Sequence, residues 1–178
     1  MKKLRRAGWV LVIAAAGCAS PAPRVEADRV RLEVPYFAET GGRCGPAAVA
    51  ELLTFWERPI EPGQLKGDVA GPSSRGTLPD DLLFAAQERG LQARSFQARV
   101  DDVKTELKRG HPVLAFLNLG GWSPKGRFVV ITGFDDHEGG FYVHSNRSPN
   151  RFVEYRSFMS RWDETGRWAV VITPEGSL

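Results

Sequence analysis

Among the 178 residues of this chain, Cys44 is the one whose type and setting most invite chemistry. The stretch TGGRCGPAAVAELLTFW delivers it through Gly41 and Gly42 to the first turn of an apolar helix. There the helix dipole and the unsatisfied N–H groups favour a thiolate, the form of cysteine that acts as a nucleophile. A free cysteine is commonly a small buried hydrophobe, and its position at a helix start is what argues against that reading here. One such cysteine with three scattered histidines, His111, His137 and His144, offers no metal-ligand spacing, so neither a metal nor a cofactor is expected.

The other cysteine, Cys18, belongs to a different device. MKKLRRAGWVLVIAAAGC carries four basic residues and then an apolar run that is too short to cross a bilayer as a finished helix. Ala15, Ala16 and Gly17 ahead of Cys18 resemble the lipobox of bacterial lipoproteins. Residues 1–17 are therefore read as a lipoprotein signal peptide, Cys18 as the lipidated mature N-terminus and residues 18–33 as a tether rich in Pro, Ala and charge. With Ala19 instead of an aspartate after it, the resemblance implies export to the cell envelope, anchored to the outer membrane and facing the periplasm. Lipidation leaves Cys44 without an intramolecular disulfide partner.

Removing the signal also changes the charge. The formal net charge is +3, but taking Lys2, Lys3, Arg5 and Arg6 from 24 basic residues leaves 20 against 21 acidic ones. No dense Lys/Arg patch with interleaved aromatics appears later, so nucleic acid is not an expected partner.

The elements that must position Cys44 follow from periodicity. Residues 45–57 predict a helix, with Pro46 suited to its first turn and Ala47, Ala48, Leu52, Phe55 and Trp56 forming an apolar stripe. Helices are also expected over 61–69, 78–89, 101–109 and 156–163. HPVLAFLNL, RFVVITGF, GFYVHSN and RWAVVIT shift to a period of two and read as strands, with DDHEGG as a hairpin turn. Helices first and then an antiparallel sheet make an α+β layout, formed by a single domain over 34–178.

VPYFAETGGRCGPAAVAELL, then GHPVLAFLNLGG, then RFVVITGFDD with GFYVHSN, together resemble the C39-like peptidases, a branch of the papain-like cysteine peptidases. The resemblance implies a papain-like fold, with a helical N-terminal half that sets the cysteine at a helix start against a C-terminal antiparallel sheet. It also implies peptide hydrolysis, with a peptide or protein as substrate. Matched residue by residue, the family's nucleophile is Cys44, its oxyanion glutamine falls on Glu39, its histidine base on Arg127 and its orienting acid on Ser145.

Three of those four positions have changed type. A guanidinium stays protonated, so Arg127 cannot take a thiol proton, although its charge can favour a thiolate. Glu39 sets a negative charge where an oxyanion develops, at a position where a donor is usually worth about 10²–10³ in rate. The two are expected to face each other as an ion pair across the cleft. His144 is the candidate surrogate base, although strand alternation points it to the opposite face from Ser145. His111 reads as a surface or strand-end residue, His137 as a turn residue, and Trp122 in GGWSPKG as a groove-lining candidate. The expectation is a C39-like peptidase homologue with impaired turnover. The alternative is a non-catalytic peptide- or protein-binding descendant at the membrane surface.

Overall fold

Pro46 needs no N–H in a first helical turn, and alanine and leucine favour helix after it. In the computed structural model, which describes residues 28–38, 44–65, 79–118, 126–145 and 148–176, that segment is α1 (Cys44–Phe55). Val49, Ala50, Leu52 and Leu53 of α1 are wholly buried. The helix ends with Glu57 in the left-handed region (φ 58°), while the Arg58 N–H reaches back to the Leu53 carbonyl at 2.8 Å.

Among the described residues three further α-helices follow: α2 (Pro79–Gln87), α3 (Val100–Lys108) and α4 (Tyr155–Trp162). Asp102 caps α3 by accepting the Arg99 N–H at 2.8 Å. The strands are β1 (Arg29–Arg31), β2 (Leu91–Gln97), β3 (Val113–Asn118), β4 (Gly126–Asp135), β5 (Gly140–Ser145), β6 (Ser148–Glu154) and β7 (Trp168–Pro174). They form one antiparallel sheet in the order β2-β7-β3-β4-β5-β6, and β1 pairs with β4 beyond the end of β3.

Alternation along the central strands feeds two cores. Leu114, Phe128, Val130, Val170 and Ile172 pack against α1 and α2 on one face. Val113, Ala115, Val129, Ile131 and Val171 pack against α3 and α4 on the other, around Phe158 and Trp162. Both faces are covered, which is why these strands read as nearly unbroken apolar runs. The α+β class and the helix-then-sheet division agree with the sequence reading.

Three local expectations differ. Residues 62–65 form turns instead of starting a helix, and 66–70 lie outside the described residues. β2 and β6 have no counterpart in the sequence reading, because as outer strands they carry many polar, exposed side chains. Finally, residues 29–31, read as the end of a tether, form β1, with Val30 buried in the core. The apolar alternation of Val30 and Leu32 is the reason, together with Gly133 opposite, where a Cβ would lie 2.3 Å from the Val30 carbonyl oxygen.

Candidate functional site

Cys44 is the first residue of α1, half-exposed, and its Sγ accepts the Phe128 N–H from β4 at 3.3 Å. The 3.6-residue period then sets Cys44, Ala47, Ala48 and Glu51 along one face of the helix. Glu51 is only 3% exposed. One of its carboxylate oxygens accepts the Phe37 N–H at 3.1 Å, and the other lies 3.1 Å from Nδ1 of His144, itself 3% exposed. Burial raises the Glu51 carboxyl above its ordinary value, opposed by the His144 hydrogen bond and charge and by the Phe37 N–H.

The second ring nitrogen of His144, Nε2, is buried and has no hydrogen-bond partner among the described residues. The Tyr36 ring packs edge-on against the imidazole, with centroids 5.4 Å apart. A cavity of about 10 Å³ lies between these groups, bordered by Cys44, Glu51, Phe128, His144 and Ser145. The assembly joins a thiol, held where a thiolate is favoured, to a buried imidazole–carboxylate pair.

Val130 and His144 are cross-strand partners, which places His144 on the α1 face of the sheet. Ser145 also borders the cavity, although alternation alone would separate the two. The pairing of β5 with β6 shifts register between Val143 and Ser145, and Ser145 also lines the space on the opposite face with Val129 and Val143, as alternation predicts. On β4, Phe128 is the residue whose backbone meets Cys44. Arg127, one position earlier, lines a larger groove of about 420 Å³ beneath α4, together with Val129, Arg151 and Arg161. Ser145 borders both spaces.

His111 stands just before β3, as a strand-end residue, but it is buried rather than on the surface, and its Nδ1 lies 2.8 Å from Glu106. Glu106 also binds Arg94 and Arg109, so this second His–Glu pair is tied into an ion-pair network. His137 is exposed in its turn. Glu39, Gly41, Gly42, Trp122 and Cys18 lie outside the described residues, as does the expected Glu39–Arg127 pair.

Sequence reasoning passed over Glu51. Its signal was a carboxylate in the otherwise apolar run AAVAELL, seven residues after Cys44. Among the described residues no group of three or more His, Cys, Asp or Glu could hold a metal, and no helix is long and apolar enough to cross a membrane.

Known proteins match this chain at both levels. An uncharacterized protein of Methanothermobacter marburgensis is 30% identical over 104 residues, covering 58% of this chain and 66%, just under two thirds, of that protein. In structure, the chain resembles a double glycine motif protease from an AMS/PCAT transporter, solved in complex with its leader peptide. That match has a TM-score of 0.66 and 22% identity, over 82% of this chain and 94% of that one. The peptidase domain of Streptococcus ComA, a bifunctional ABC transporter, aligns with a TM-score of 0.65 and 17% identity over 79% and 98%. At these identities the structural matches bear on the fold alone. The sequence match to the Peptidase_C39 like family runs from residue 31 to residue 170, through α1, the sheet and the cavity at Cys44, and the chain belongs to that family.

Proposed function

We propose that this chain is a lipid-anchored, peptide-directed thiol protein of the C39-like family, with Cys44 as its nucleophile. Hydrolysis through the family's own histidine position is lost, because Arg127 stands there and Glu39 occupies the oxyanion position. The observation that carries this reading is the setting of Cys44: its Sγ lies at the start of a 12-residue helix and accepts the Phe128 N–H. Both features stabilise a thiolate over a thiol. The leader peptide held by the AMS/PCAT protease supports a peptide as the ligand class. The groove that Ser145 shares with the small cavity at Cys44 gives such a peptide a surface. A non-catalytic peptide binder is the second reading, favoured by the arginine at position 127.

The rate of Cys44 alkylation against pH tests the proposal, using the full chain with Cys18→Ser so that one thiol remains. The expected result is fast reaction persisting well below the free thiol's pKa of about 8.5. A rate that rises only near that value would identify a structural cysteine and leave the binder.

A further inference from the structure

Three facts about His144 have no role in the site as the family builds it. Its Nδ1 is 3.1 Å from Glu51. Its Nε2 is buried with no hydrogen-bond partner among the described residues, an arrangement that costs free energy unless something uses it. It borders the same small cavity as Cys44. His111 supplies the contrast, because its Glu106 partner is also held by two arginines.

From these facts we infer that His144, oriented by Glu51, is the proton acceptor for the Cys44 thiol. The inference rests on Cys44 being the working thiol. Glu51 follows Cys44 by two helical turns, a rise of about 10 Å, and helical side chains lean toward the N-terminus. The Glu51 carboxylate therefore holds the imidazole back toward Cys44, while Ala47 and Ala48 keep the intervening face low. The cavity, about 10 Å³, is the size of a single water site.

An ionised Glu51 accepts hydrogen bonds through both oxygens, so it selects the Nδ1–H tautomer and leaves the lone pair on Nε2, the unpartnered atom of a ring that borders the cavity. The thiol gives its proton to a water in the cavity, and that water gives a proton to Nε2. The S–H bond breaks, an N–H bond forms, and a thiolate and an imidazolium result, with the imidazolium held by the Glu51 charge. When the thiolate attacks a peptide carbonyl, the C–N bond breaks and the proton on Nε2 returns through water to the departing amine. A second water then hydrolyses the thioester.

The titratable groups facing His144 among the described residues are Glu51 and Cys44 from α1 and Tyr36 from the leading segment. From the sheet it meets Val130 and Ser145, which do not titrate in the working range. Glu51 is thus a positioning residue. Protonating it removes the selection of the Nδ1–H tautomer and with it the base.

The test compares alkylation-rate profiles from pH 4 to 9 in the full chain with Cys18→Ser, alone and with His144→Gln or Glu51→Gln, alongside the ¹⁵N spectrum of the imidazole. The expected results are at least a tenfold slower reaction of Cys44 at pH 6 in His144→Gln, and an altered profile in Glu51→Gln. The spectrum should show His144 protonated at Nδ1 at neutral pH. A fast Cys44 whose profile is unchanged by both substitutions would overturn the inference while leaving Cys44 as the working thiol. A slow Cys44 in the unsubstituted chain would overturn both. An Nε2–H tautomer overturns the inference without any variant having to fold.

Discussion

Glu51 carries two duties that pull against each other. Its oxygens satisfy the Phe37 N–H and meet His144, yet the carboxylate sits in the apolar packing of α1 where charge is disfavoured. The raised carboxyl pKa means that the folded chain holds this proton more tightly than the unfolded chain does. Its contribution to stability is therefore full below the ordinary carboxyl value of 4.5 and shrinks as pH rises from there through the folded value. Glutamine cannot ionise, so the stability of the wild-type chain relative to Glu51→Gln is expected to fall over that window. Thermal unfolding of the two proteins from pH 4 to 7 checks this, and a difference that is flat or grows with pH would refute it. The same carboxylate in the sequence looks like a flaw in an apolar stripe. Only its partner 93 residues away explains it.

At the level of elements, β4 organises the site. One edge takes β3 and then β1, and the other takes β5, so a single strand sets both the Phe128 N–H on Cys44 and the register of His144. β1 can lie against β4 because position 133 has no side chain, with the Val30 carbonyl oxygen 2.3 Å from where a Cβ would be. Gly133→Ala must push β1 away or distort β4, at a cost of about 1–3 kcal/mol. Hydrogen exchange at the Leu32 amide, which bonds the Thr132 carbonyl at 2.8 Å, should then accelerate more than exchange in β3 and β7. Equal acceleration everywhere would mean that β1 is not a separable edge. β1 was hard to read from sequence because three residues beside charged neighbours resemble a linker until their partner strand is known.

For the whole molecule, the sheet carries helices on both faces, α1 and α2 on one and α3 and α4 on the other. If Cys18 is lipidated, the 15 residues before Val34 include β1, so the effective tether is the shorter stretch before Asp28, and the domain is held close to the lipid surface. Cys18→Ser is expected to move the protein from the membrane fraction to the soluble fraction of the cells that make it, with an unchanged unfolding temperature. Retention in the membrane fraction would exclude Cys18 as the anchor. Local patterns in the chain were enough to specify α1, α2, α3, α4, the four apolar strands, the family and Cys44 as the thiol to watch, because helix starts, period-two runs and short motifs are properties of neighbouring residues. The tertiary structure alone decided which groups attend that thiol. His144 reaches the α1 face through its pairing with Val130, and Ser145 borders both the small cavity and the groove on the other face. Glu51 gains meaning only when α1 lies on the sheet, since burial and partnership over long separations are set by packing.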